Sequence, residues 1–311
     1  MKYPHLDQLI KTAEDIGPAQ VAVAFPCSVI ALESAITAKA RGLIEPVLIG
    51  PLHRIRAIAD ANRIDLTNVK LMESGDDPLE AASAAVLLCH EKAVTLIMKG
   101  SLHTDELLSA VVNKSGGLRT SRRISHTFLF DMPSYPKPLL IADCVVNINP
   151  TLSDKRDIIQ NTIDLAFNLG VHRPHVGVLS AVETVNMAIQ STLDAAALSK
   201  MSDRGQITGA VVDGPLAFDV AISSDAAETK GVSSPVSGNA DILLMPNLEA
   251  GNMLYKQLIY LTSAQCAGIV IGTRAPIILT SRADSALTRV ASCALAVIHA
   301  HREREKGTMF H

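Results

Sequence analysis

The chain has 311 residues, of which 48% are apolar and 19% charged, with a formal net charge of −3 and a pI near 6.4. That balance excludes the basic surface on which nucleic-acid or anionic-membrane binding depends, and no apolar run approaches the ~20 residues that span a bilayer. The apolar content leans on Ala, Val, Ile and Leu with no Trp, a mix that suits parallel strands covered on both faces by Ala-rich helices.

The length exceeds one average domain, so two are expected. Cys27, Cys89, Cys144, Cys266 and Cys293 are scattered without CxxC spacing, as in the reduced thiols of a soluble cytoplasmic protein. The opening MKYPHLDQLIKTAEDIG reads as an amphipathic helix and lacks the apolar core of a signal peptide. Strands are then expected at 20–24, 45–50, 69–73 and 94–98. They alternate with helices over 28–41, from Pro51, over 78–90 and over 105–112. This is the pattern of a parallel sheet with right-handed crossovers.

Strands at 126–130 and 138–142 follow, and Asn149-Pro150 reads as a boundary. The alternation restarts with a helix over 153–169, a strand at 176–180, helices to Arg204 and a strand at 208–212. It ends with a strand at 242–245, a helix over 253–261, strands at 268–271 and 277–279, and a helix over 283–300 that is expected to return to the first unit. Two α/β units meeting near residue 149, with a ligand cleft between them, is the expected architecture.

Polar groups gather where these strands end. Lys99-Gly100-Ser101-Leu102-His103-Thr104 joins a strand to a helix. It reads either as an anion pocket of backbone N–H groups or as a turn capped by Thr104 or Ser101. The run from Lys114 to Arg123 is the most basic stretch, a polyphosphate clamp or a solvated loop. Asp213-Gly214-Pro215 reads first as a turn. In Asn247-Leu248-Glu249-Ala250-Gly251-Asn252, Asn252 is a candidate helix cap, Gly251 permits close backbone approach, and Glu249 is either a base or a solvated loop acid. Thr280-Ser281-Arg282 offers hydroxyls and a guanidinium at a strand end, although Ser281-x-x-Asp284 also fits a plain N-cap. Arg282 opposes the helix dipole there and so calls for a reason of its own. A GxGxxG, a P-loop, a G-x-S-x-G elbow and zinc spacing are all missing.

Several stretches together are familiar: KGSLHTDELLSAVV (99–112), GLRTSRRISH (117–126), ADCVVNINP (142–150), VVDGPLAFDVAIS (211–223), SPVSGNADILLMPNLEAGNMLYKQL (234–258) and APIILTSRADS (275–285). They resemble the phosphate acetyltransferase/phosphate butyryltransferase family over nearly the whole chain. HTDELLSAVVNKSGGLRT and LTSRADS look closer to the butyryl branch. The resemblance implies a fold like isopropylmalate dehydrogenase, two three-layer α/β domains around a cleft, here 1–148 with 285–311 and 149–284.

It also implies reversible transfer of a short acyl group between coenzyme A and inorganic phosphate. Coenzyme A is then a substrate, with no permanently bound cofactor and no metal, and a homo-oligomer, dimer or higher, is expected. Arg282 would bind the phosphate and Ser281 the thioester region. Lys99, Gly100, His103, Thr104, Arg119, Asp213, Gly214, Pro215, Gly251, Asn252 and Thr280 would line the substrate site, with Arg119, Arg122 and Arg123 suited to the coenzyme A phosphates. Three departures stand out. Thr288 replaces the Asp that acetyl-specific members carry seven residues after the Ser, Asn247 replaces another Asp, and an Arg-Pro pair is missing near Ser109-Ala110. Asp284 and Glu249 are the local carboxylates left as candidate bases. A metal-dependent decarboxylating dehydrogenase of the same fold, or a non-catalytic coenzyme A-binding protein, are the alternatives.

Overall fold

A computed structural model describes residues 2–279 and 284–307. Strands and helices alternate from the start: α1 (Pro4–Ile16), β1 (Ala19–Ala24), α2 (Val29–Ala40), β2 (Ile44–Ile49), α3 (Leu52–Asn62), β3 (Lys70–Met72), α4 (Pro78–His90), β4 (Leu96–Lys99) and α5 (Thr104–Val111). Two strands in succession follow, β5 (Ser125–Asp131) and β6 (Leu139–Ala142), and then α6 (Leu152–Asn168), β7 (His175–Leu179), α7 (Gln190–Asp203) and β8 (Val211–Leu216). The chain continues through α8 (Phe218–Ile222), α9 (Ser224–Thr229), β9 (Ile242–Leu244), α10 (Leu248–Leu261), β10 (Gln265–Ile271), β11 (Ile277–Ile278) and α11 (Ala286–Glu305).

Contacts divide the chain into a terminal unit, Leu6–Ser121 with the chain from Ala267 onward, and a central unit that includes Arg122–Cys266. The lines drawn from sequence, at 148/149 and 284/285, fall elsewhere. β5 and β6 share the central unit because β6 pairs in parallel with β9, Ile141 opposite Leu243.

In the terminal unit the strand order is β3-β2-β1-β4-β11-β10. The first five of these strands run parallel, and β10 runs antiparallel to β11. Val21, Val23, Leu48, Leu96 and Ile97 are fully buried, as befits strands covered on both faces. α4 lies on β1 and β4, and α11 lies on β4 and β11 beside α2. The central unit has the order β5-β6-β9-β7-β8, with β5 antiparallel to β6 and the rest parallel. Phe128, Phe130, Leu243 and Cys266 are part of its core, on which α10 packs through Leu254, Tyr255, Leu258 and Ile259. The Phe128 and Tyr255 rings stack at 4.2 Å.

Several helix starts follow side-chain capping, which satisfies the free N–H groups of a first turn. Ser28 Oγ accepts from Ala31 N at 3.3 Å, and Asp77 Oδ1 accepts from Leu79 N at 2.9 Å with Pro78 in the first turn. Thr151 and Asp154 cap α6 reciprocally. Two starts differ from the sequence expectation. α10 begins at Leu248 rather than 253, because Asn247 and not Asn252 is its cap. α11 begins at Ala286 rather than 283, because the cap is Ser285.

Candidate active site

Parallel strands of one sheet end on a common edge, where helix N-termini and loops meet ligands. In the terminal unit, Lys99 ends β4 opposite Ala24 of β1. The chain then turns against β1: Gly100 N donates to Ala24 O at 2.9 Å and Ser101 N to Phe25 O at 2.8 Å. A Cβ at position 100 would lie 2.4 Å from Ala24 O and 2.5 Å from Phe25 O, so the approach requires glycine. Phe25 itself has a left-handed backbone (φ 52), and the Arg54 guanidinium sits over its ring at 5.3 Å.

α5 opens directly after this turn. Its cap is His103, not Ser101 or Thr104, with the Glu106 carboxylate accepting from His103 N at 2.5 Å. Past α5 the basic loop is fastened to the chain just before β11. Arg274 N donates to Leu118 O at 2.8 Å, Arg119 bridges Thr273, and Thr120 Oγ1 donates to Gly272 O at 2.9 Å. Arg119 is exposed. The next two cations belong to the central unit: Arg122 pairs with Asp164, and Arg123 Nε donates to Asn147 Oδ1 at 2.7 Å.

Thr280, Ser281 and Arg282 lie outside the described residues. On the near side of them, Ile278 is paired with Met98, so β11 ends on the same edge as Lys99. On the far side, Asp284 O accepts from the Arg289 guanidinium. Ser285 Oγ accepts from Thr288 N and donates to Thr288 Oγ1, both at 3.1 Å, so Ser285 caps α11. Thr288 is 4% exposed and non-ionisable, and its carbonyl accepts from Ser292 Oγ at 2.7 Å. Gly268 N in turn donates to Ser292 Oγ at 2.9 Å. Thr288 and Ser292 are thus buried, while Ser285 at the start of the helix is exposed.

In the central unit the corresponding edge is formed by the ends of β6, β9, β7 and β8. Asn247 Oδ1 accepts from Ala250 N at 2.9 Å to cap α10, and Glu249 is exposed in that first turn, where the dipole favours an acid. Gly251 is buried against the turn after β6, and its Cβ would lie 2.5 Å from Asp143 O. Asn252 Nδ2 donates to Cys144 O at 3.2 Å. Asp213-Gly214-Pro215 lies inside β8 and is not a turn. Gly214 is needed because a Cβ there would lie 2.7 Å from Val178 O on the neighbouring strand, and Asp213 accepts from Ser199 Oγ at 3.3 Å.

Sequence reasoning missed Asp143. It is 3% exposed and accepts N–H bonds from Val145 (2.8 Å), Val146 (3.0 Å) and Asn147 (3.3 Å), and from Asn147 Nδ2 (2.6 Å). Burial pushes its carboxyl pKa up, and the N–H bonds pull it back in part. Its one sequence signal is an acid immediately after an apolar strand, four residues before Asn147.

Residues 76–297 match the model of the phosphate acetyl/butaryl transferase family. A phosphate acetyltransferase of Rickettsia prowazekii is 57% identical over 94% of this chain and 83% of its own length. A phosphate butyryltransferase of Clostridium beijerinckii is 41% identical over 96% and 99%. The crystal structure of a branched-chain phosphotransacylase from Enterococcus faecalis superposes with a TM-score of 0.80 at 28% identity, covering 91% of this chain and 99% of that one. The chain belongs to the phosphate acetyl/butyryl transferase family. It is an enzyme, a phosphate acyltransferase that moves an acyl group reversibly between coenzyme A and phosphate. No helix among the described residues is long and apolar enough to cross a membrane.

Proposed function

We propose that this enzyme takes short-chain acyl-CoA, acetyl-CoA among them, through a ternary complex in which phosphate attacks the thioester directly. A phosphate oxygen bonds to the acyl carbon, the C–S bond breaks, and the coenzyme A sulfur leaves with the electron pair and takes up a proton. In reverse the thiol gives up that proton and its sulfur attacks the acyl phosphate. Orientation and stabilisation of a developing oxyanion supply most of such a barrier reduction, about 7–11 kcal/mol from orientation in favourable cases.

Arg282 holds the phosphate and Ser281 donates to the thioester carbonyl. Lys99, Gly100, His103, Thr104 and Thr280 contribute to the same pocket, and Arg119 meets the coenzyme A phosphates. Asp284 takes the thiol proton. Glu249 is the weaker candidate for that step because the α10 dipole already accounts for it. The observation that carries this reading is the β11–β4 pairing. It ends the strand leading to Ser281-Arg282 on the edge where Lys99-Gly100 turns, in a chain whose family match spans both.

Acetyl is favoured as substrate because relatives named phosphate acetyltransferase reach 52–57% identity over most of the chain. A butyryl preference is the second reading, supported by Thr288. Asn247 adds little to it, since Asn and Asp cap a helix about equally well. A cytoplasmic location and a homo-oligomer complete the proposal. Arg282→Ala tests it: the apparent KM for phosphate rises more than that for acyl-CoA, and an unchanged phosphate dependence refutes the role.

A further inference from the structure

Arg123 is mounted more firmly than a surface arginine needs to be. Its backbone is pinned from two sides, Arg123 N donating to Asp157 Oδ2 at 2.9 Å and Arg123 O accepting from Asn161 Nδ2 at 2.8 Å. Its Nε donates to Asn147 Oδ1 at 2.7 Å, yet 51% of the side chain remains exposed. The same Nε forms an ion pair with Asp154 Oδ1 at 3.7 Å. The guanidinium is therefore held by its inner N–H while its outer face is open to solvent, the posture of a fork presented to an anion.

What orients Asn147 lies beneath it. Asn147 is 2% exposed, and its Nδ2 donates both to Asp143 Oδ2 at 2.6 Å and to Ile124 O at 2.9 Å. Both of those partners accept from Nδ2, and the Ile124 carbonyl can only accept. The amide therefore turns its Nδ2 inward, which leaves Oδ1 pointing at Arg123. The Asp143 carboxylate is buried with no ion-pair partner among the described residues, and N–H groups alone hold it. A buried carboxylate in that state costs stability unless its bonding is used.

We propose that Asp143 is a positioning residue for coenzyme A: acting through Asn147, it fixes the Arg123 guanidinium to receive a phosphate of the nucleotide end. The inference rests on the reading that the basic segment meets the coenzyme A phosphates. It goes beyond that reading by assigning the contact in the central unit to Arg123 and the control of that contact to a buried acid.

The test is steady-state kinetics of the full-length enzyme with acetyl-CoA and phosphate, for Arg123→Ala, Asn147→Ala, Asp143→Asn and the double variant Asn147→Ala/Arg123→Ala. Arg123→Ala is expected to raise the KM for acetyl-CoA about tenfold, and the other two single variants about three- to tenfold, with the KM for phosphate changed less than about twofold. The double variant is no worse than Arg123→Ala alone, because the two residues act in series. If Asp143→Asn does not fold, Asn147→Ala still cuts the link while leaving the backbone N–H bonds to Asp143 in place. A lowered melting temperature with an unchanged KM for acetyl-CoA in Asn147→Ala overturns the inference, as does a double variant whose effects multiply. Should Arg119→Ala raise that KM while Arg123→Ala does not, this inference fails and the coenzyme A reading of the loop survives. If neither moves it, both fail.

Discussion

Replacing Gly100 by alanine puts a methyl group where backbone already is. The added Cβ would lie 2.4 Å from Ala24 O, 2.5 Å from Phe25 O and 2.6 Å from Phe25 C. None of these is the end of a flexible side chain, so the turn after β4 has to move away from the turn after β1. That movement breaks or lengthens the bonds from Gly100 N to Ala24 O and from Ser101 N to Phe25 O. Overpacking of this kind costs about 3 kcal/mol. In a domain of this size each kcal/mol lowers Tm by roughly 2–4 °C, which gives a fall of about 6–12 °C. Gly116→Ala is the matched control, since a Cβ there meets nothing within 4 Å. Thermal unfolding followed by circular dichroism measures both. Equal melting temperatures for Gly100→Ala and Gly116→Ala would refute the reasoning, and with it the argument that this close approach dictates where the Lys99–Thr104 segment stands.

Removing the α10 cap by Asn247→Ala is expected to cost about 1 kcal/mol, and Asn247→Asp to be close to neutral; equal losses in chemical unfolding would show that the capping bond is not what matters. The Lys155–Asp194 pair, 2.7 Å apart with side chains 6% and 10% exposed, predicts a loss of about 3–5 kcal/mol for Lys155→Ala. Most of that loss should be recovered when Lys155→Met is combined with Asp194→Leu, as unfolding in urea would report. Native alkylation should label Cys27 first, because Cys89, Cys144, Cys266 and Cys293 are buried. Burial raises the Cys27 pKa above the ordinary 9.0, so its labelling rate keeps climbing through that pH. The thiols of Cys89 and Cys293 are pushed up to about 12 and stay silent until the chain unfolds. Prompt labelling of a second cysteine, read by peptide mass mapping, would contradict this.

The alternation of strands and helices was legible because strands such as β1, β4, β6 and β9 are largely apolar runs and most helices begin at a recognisable cap. Errors arose where two local signals competed and only tertiary packing decides between them. Asn247 and Asn252 both look like caps, and Asn247, whose side chain reaches an N–H of the first turn, is the cap. Asp213-Gly214-Pro215 has turn composition, yet its glycine serves the neighbouring strand, a requirement written in Val178 rather than in the motif itself. Gly251 was read correctly as a place of close approach, but what comes close is the Asp143 backbone. Asp143 escaped notice because its one signal along the chain, an acid directly after an apolar strand, does not say what it bonds. Its importance comes from Asn147 and Arg123, which the fold brings together.

Whether the chain transfers acyl groups to phosphate is decided by thiol release from acetyl-, propionyl- and butyryl-CoA, measured on the purified enzyme with and without phosphate. Release is expected to require phosphate, with acetyl-CoA among the substrates turned over. Absence of phosphate-dependent release from all three would contradict that expectation.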